Sequence, residues 1–128
     1  GALPRVKLAE YQKQTKVYAY PLDTVSFTEG YCVAIGEALA AGARVVARPE
    51  DAVEEVYGRS VRWVRAGIPG ERFREAFAKA VIEELRGESS SRQQVTEEVI
   101  AKYTWKNSGE LMLKALALAQ ENNLKKGA

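Results

Sequence analysis

Residues 27–42 constrain the fold most, because they join a polar, glycine-containing loop to a short helix that is apolar on almost every side. The stretch reads F-T-E-G-Y-C-V-A-I-G-E-A-L-A-A-G. A helix that is apolar all round is a buried helix, so the rest of the chain has to enclose it. The only charge predicted inside this helix is Glu37, and a carboxylate there is costly unless something pairs with it.

A second carboxylate, Glu29, lies eight positions earlier, at the entrance of the same helix. Unsatisfied backbone N–H groups and the positive end of the helix dipole collect at a helix entrance, which favours anions there. Carboxylates in turn accept hydrogen bonds from hydroxyl groups. The pattern therefore predicts a site for a ligand with both phosphates and hydroxyls, as in a sugar nucleotide. Gly36 inside the helix indicates close packing against a neighbouring strand or a ligand.

The order of elements predicts an α/β fold with a small three-stranded parallel sheet flanked by helices. Short runs of β-forming residues at 17–20, 44–48 and 60–64 alternate with helical segments. With 128 residues we expect one domain, in which residues 1–66 form the β/α part and residues 67–128 a helical part. Ligands of such sheets bind outside the carboxyl ends of the strands, where the loop after the first strand lies.

Three helices are predicted in the carboxyl-terminal part, over residues 71–86, 92–102 and from a cap at Asn107 or Ser108 to about 123. We assign the aromatic side chains of Phe73, Phe77 and Trp105 to the core. The last helix carries an apolar stripe wider than one interface needs, made of Leu111, Met112, Ala115, Leu116, Leu118 and Ala119.

The composition excludes several classes of function. The chain has no histidine, which removes histidine acid–base catalysis, catalytic triads and most zinc sites. Its single cysteine excludes an internal disulfide and suits a reducing compartment. The net charge of +2 is too small to predict binding to nucleic acid, and no apolar run has the length of a membrane span. We therefore expect a cytoplasmic protein, at most peripheral at the cytoplasmic face of a membrane.

Several motifs together resemble the carboxyl-terminal donor domain of the retaining GT-B glycosyltransferases. They are V-Y-A-Y-P, the stretch 27–42, A-R-V-V-A, V-E-E-V-Y-G and the Tyr103-Thr104-Trp105 segment. The E-x7-E motif that marks the family is matched by Glu29 and Glu37. The resemblance implies that the chain corresponds to the second half of a Rossmann-like nucleotide-sugar-binding domain, and that transfer from a nucleotide-diphosphate sugar needs no metal or other cofactor.

The family's functional residues can be carried over by position. The resemblance implies that Glu29 accepts hydrogen bonds from sugar hydroxyls as a catalytic-site residue, and that Glu37 holds the ribose hydroxyls. Backbone amides would face the sugar and the diphosphate at Gly30, Tyr31, Cys32 and Val33. Cys32 stands where many members have a second glycine, and the family's basic diphosphate clamp and its acceptor domain have no counterpart here. We therefore expect this chain alone to be incomplete as an enzyme.

Other interpretations stay open at this stage. The chain could be a non-catalytic α/β interaction or regulatory domain, or an epimerase-like protein of the same architecture. Cys32 is either an activated thiolate or, as we favour, a small residue that permits close ligand approach. The numerous arginines alternate with acids, which predicts a solvated face. We also expect a homodimer through the Val17–Tyr20 edge strand or the Leu111–Leu118 helix, unless a separate chain supplies the missing half.

Overall fold

A three-stranded parallel sheet forms the centre of the protein. The computed structural model describes residues 3–21, 31–65, 70–87 and 92–126. Strands β1 (Val17–Tyr20), β2 (Arg44–Ala47) and β3 (Val61–Trp63) pair in the order β1-β2-β3. Val17 lies opposite Arg44 in the first pair, and Val45 lies opposite Val61 in the second. The predicted α/β class with a three-stranded parallel sheet is confirmed.

Helices surround this sheet and continue beyond it. They are α1 (Arg5–Gln14), α2 (Val33–Ala40), α3 (Asp51–Tyr57), α4 (Glu71–Arg86), α5 (Arg92–Lys102) and α6 (Trp105–Lys126), with a single 3₁₀ turn at Gly58–Ser60. The predicted bounds of α4 and α5 agree with the structure. Most of the loop predicted after β1, and most of the turn predicted at residues 67–70, lie outside the described residues.

Helix α2 is buried, as its composition predicts. Ile35, Ala38 and Leu39 are fully or almost fully enclosed and pack against Val45 and Ala47 of β2. The helix ends where its last turn meets Gly42, whose φ of 86° is a left-handed conformation that glycine adopts without strain. This end turns the chain directly into β2.

The opposite face of the sheet carries α4. Side chains alternate across a strand, so Val46 points away from α2 and joins a second apolar cluster with Val64, Phe73 and Phe77. The core assignment of both phenylalanines is confirmed. That of Trp105 is wrong, because its side chain is 94% exposed.

Helix α6 extends away from the sheet. Its cap is Thr104, whose hydroxyl oxygen accepts the backbone N–H of Asn107 at 3.2 Å, so the predicted cap at Asn107 or Ser108 is wrong. The amide of Asn107 instead donates to carbonyls at the end of α5. Every residue from 110 to 120 is exposed. Within the described ranges, no helix is both long and apolar enough to cross a membrane.

Candidate functional site

Two residues of the predicted site lie outside the part of the chain that the structure describes. Glu29 and Gly30 fall within residues 22–30, outside the described part of the chain. The structure describes the predicted site from Tyr31 onward. Helix α2 begins two residues later, at Val33. The N–H groups of Val33 and Ala34 have no acceptor within the helix, so they form the amide entrance that the sequence predicts. The N–H of Ile35 in the same turn is already engaged by Cys32.

Cys32 fixes the geometry of this entrance. The residue is buried and adopts a left-handed backbone conformation with φ of 45°, directly before the helix. Its carbonyl oxygen accepts the N–H of Ile35 at 3.0 Å and the hydroxyl of Tyr57, also at 3.0 Å. A non-glycine residue in this conformation is uncommon and is maintained only by its surroundings. Burial of Cys32 argues against a reactive thiolate, and its role in permitting close ligand approach stays a prediction.

Tyr57, at the end of α3, packs against α2. The phenol is almost fully buried. Burial, and then the neighbouring Tyr31, raises the pKa of Tyr57 well above its usual range, so the hydroxyl stays protonated and donates its hydrogen bond. A Cβ at Gly36 would lie 3.0 Å from the Tyr57 hydroxyl oxygen. Gly36 therefore allows close packing of α3 against α2. The predicted close packing is confirmed, but the neighbour is a side chain of helix α3 and not the expected strand.

We expect Gly36→Ala to lower the free energy of unfolding by about 1 kcal/mol, because overpacking costs about 1–3 kcal/mol and alanine recovers up to about 1 kcal/mol of helix propensity. Urea denaturation measures the change. The control is the same substitution in a Tyr57→Phe background, where the nearest ring atoms lie an ordinary 3.8 Å from the new methyl group. There Gly36→Ala should be neutral or stabilising. An equal loss in both backgrounds would show that the hydroxyl is not the obstacle.

Glu37 is half-buried on the side of α2 that faces α1 and α5. The side-chain amide of Gln12 in α1 donates to Oε2 of Glu37 at 3.1 Å. Among the described residues Gln12 is the only hydrogen-bond donor to this carboxylate, so Oε1 keeps its capacity to accept. The sequence gives no signal for Gln12, because its partner lies 25 positions away.

An aromatic cleft adjoins Glu37. It has a volume of about 340 Å³ and is bounded by α2, by Tyr57 and by the α5–α6 junction. The rings of Tyr31 and Tyr57 lie 5.8 Å apart, and those of Tyr31 and Tyr103 lie 5.6 Å apart in an edge-on arrangement. The remaining wall is apolar and includes Val99 and Ile100. Sequence analysis did not assign these two α5 residues or Tyr57 to the site.

The cleft combines one carboxylate with aromatic faces, at the lower end of the volumes typical of ligand sites. Such a surface can accept hydrogen bonds from a diol through Glu37 and stack against a flat or weakly polar ring. Of the predicted site residues, Tyr31, Cys32 and Val33 lie at the start of α2. Glu37 lies further along the helix and lines the cleft. Across the described residues, no group of three or more histidine, cysteine or acidic side chains could hold a metal ion.

Comparisons with known proteins add no further assignment. No protein-family model, no curated protein and no solved structure matches this chain. The functional interpretation therefore depends on the motifs of the sequence and on the geometry around α2.

Proposed function

We propose that this chain is the donor-binding module of a retaining GT-B glycosyltransferase and that it binds a nucleotide-diphosphate sugar. In this proposal the ligand lies across the entrance of α2, with the diphosphate on the first-turn amides and the ribose hydroxyls on Glu37. Glu29 accepts hydrogen bonds from the donor sugar. Transfer also requires an acceptor domain, and the single cysteine suits a cytoplasmic location.

The observation that carries the proposal is the setting of Glu37. Its carboxylate lies beside a cleft large enough for a ribose and a ring, and Gln12 orients it through one oxygen while the other can accept a ligand hydroxyl. A half-buried carboxylate with a single neutral partner gains little stability for the fold, which favours a ligand role. The parallel sheet supports the same location, because the loop after β1 leads from the carboxyl end of that strand to α2.

The second candidate function is that of an interaction domain, and the exposed apolar side chains of α6 favour it. The apolar side chains of this helix, Leu111, Met112, Leu113, Leu116 and Leu118, are between 56% and 68% exposed. Exposed apolar surface of this extent usually marks an interface. We propose that α6 pairs with a second copy of the chain in isolated material, and prefer it to the β1 edge because α6 exposes more apolar surface.

Isothermal titration calorimetry with a panel of UDP- and GDP-sugars separates the two candidates. A donor module should bind at least one of them with a Kd at or below about 1 mM, which corresponds to roughly −4 kcal/mol. If none binds at millimolar concentration, the interaction domain is the better description.

Glu29→Ala tests the role of the first carboxylate in the same assay. We expect this variant to lose affinity for the sugar nucleotide about tenfold, because a hydrogen bond to a charged group contributes about 1.5–3 kcal/mol. Its affinity for the bare nucleoside diphosphate should be unchanged, since only the sugar contacts Glu29. Equal losses for both ligands would contradict the assignment to the sugar.

A further inference from the structure

A second cleft lies at the opposite end of the strands from the candidate donor site. It has a volume of about 390 Å³ and is formed at the amino ends of β1 and β2, between the last turns of α1 and α4. Four cationic side chains line it, and we call it the basic cleft: Lys13, Lys16, Arg44 and Arg86. The remaining lining residues among those that the structure describes are neutral.

The cations of the basic cleft differ from other arginines of the chain. Arg48, Arg62 and Arg65 each form an ion pair with a glutamate. Within the described residues, none of the four cations of the basic cleft has an acidic partner. Their mutual repulsion is therefore not compensated by any acidic side chain of the described residues.

Helix carboxyl ends account for only part of this positive charge. The ends of α1, α2 and α4 meet near the cleft, and cations near such ends are favourable. Each helix end carries about half a negative charge, so three ends supply about one and a half against four positive charges. More than two positive charges therefore remain after the three helix ends are counted. Stabilisation of the helix ends does not account for these charges.

Arg44 is held in position by the backbone around it. Its Nη1 donates to the carbonyl oxygen of Glu84, in the last turn of α4. A Cβ at Gly87 would lie 3.7 Å from both terminal nitrogens of Arg44, so this turn packs against the guanidinium. A guanidinium carries five N–H donors, and one hydrogen bond to a carbonyl leaves most of them for another acceptor. An oriented fork of this kind suits phosphate oxygens.

We propose that the basic cleft binds a phosphate-bearing ligand with two or more negative charges. The ligand bridges Arg44 and the flanking lysines, and it binds independently of the donor site because the two lie at opposite ends of the strands. The same chemistry is offered by a soluble diphosphate and by the phosphorylated headgroup of an anionic lipid.

The test compares two triple variants of equal charge. The cleft variant carries Lys13→Gln, Lys16→Gln and Arg86→Gln, and keeps Arg44 because of its contact with α4. The control variant carries Lys7→Gln, Arg72→Gln and Arg74→Gln, three exposed residues outside the cleft. Circular dichroism verifies that both are folded. Binding of inorganic pyrophosphate is measured by calorimetry at low salt. Binding to vesicles that contain phosphatidylinositol monophosphate is measured by co-sedimentation, with pure phosphatidylcholine vesicles as the reference.

We expect the cleft variant to lose at least tenfold in affinity for pyrophosphate, for anionic vesicles or for both, while the control variant stays within about twofold of the wild type. Loss only with pyrophosphate identifies a soluble ligand, and loss only with vesicles identifies a lipid headgroup. Equal losses in the two variants, or no binding of either probe by the wild type, would overturn the proposal. If pyrophosphate bound at the α2 entrance instead, the affinity of the cleft variant would be unchanged. This result would also overturn the proposal.

Discussion

Replacing Glu37 with alanine should weaken nucleoside diphosphate binding at least tenfold. Each hydrogen bond between a ribose hydroxyl and a carboxylate contributes about 1.5–3 kcal/mol, and about 1.4 kcal/mol corresponds to a factor of ten in affinity. Calorimetry with the bare nucleoside diphosphate measures the change. Glu55→Ala is the matched control, because Glu55 is an exposed helical carboxylate that does not line the aromatic cleft. Its affinity should equal that of the wild type.

The contact with Gln12 requires a second control. The isolation of Glu37 in the sequence predicts that the alanine variant is at least as stable as the wild type. Because Gln12 donates to Glu37, we now expect a loss of about 1 kcal/mol in the free energy of unfolding. Gln12→Ala should lose a similar amount of stability but much less nucleotide affinity than Glu37→Ala, because the carboxylate itself remains. If Glu37→Ala lost several times more stability but bound the nucleotide normally, the role of Glu37 would be structural.

Substituting the apolar face of α6 should have the second large effect, on assembly. The helix has 22 residues and spans about 33 Å, so two copies can pair along several turns. Met112 and Leu116 are four positions apart and therefore lie on the same face. We expect the wild type to be a dimer at micromolar concentration and the double variant Met112→Gln, Leu116→Gln to be a monomer, because fully burying each side chain contributes about 1.5–3 kcal/mol.

Sedimentation equilibrium tests this expectation. Lys114→Gln changes an exposed residue of the same helix on its polar side and should leave the dimer intact. A monomeric wild type would contradict self-association through α6. A dimer that persists in the double variant would indicate pairing through the edge of β1 instead. Among the described residues this strand pairs only with β2.

The fold follows closely from local patterns, and the reason is physical. The three strands are short runs of β-forming residues that are bounded by proline, glycine or charge, and the all-apolar α2 can be stable only when buried. The bounds of α4 follow from the spacing of Phe73, Phe77 and Ala80 on one face and from the helix-ending Gly87. These signals act within a few residues, so a single sequence contains them.

The surroundings of the site were less predictable, because they depend on contacts between distant segments. The hydrogen bonds from Gln12 to Glu37 and from Tyr57 to Cys32 each join residues 25 positions apart. No periodicity encodes such pairs. Trp105 was misassigned for a related reason, since an aromatic residue at helical spacing is typical of a core, but here its helix leaves the sheet. The basic cleft likewise combines cations from three separate segments.

Mapping the bound nucleotide by NMR shows whether it binds at the entrance of α2. A ¹⁵N-labelled sample is titrated with the sugar nucleotide that binds best in calorimetry, and the amide shift changes are assigned along the chain. If the donor site lies on α2, the largest changes should fall between residues 29 and 37, at the entrance of α2. These changes should disappear in Glu37→Ala. Largest changes around Lys16, Arg44 and Arg86, with α2 unaffected, would show that the nucleotide binds through its phosphates at the basic cleft and would contradict a donor site on α2.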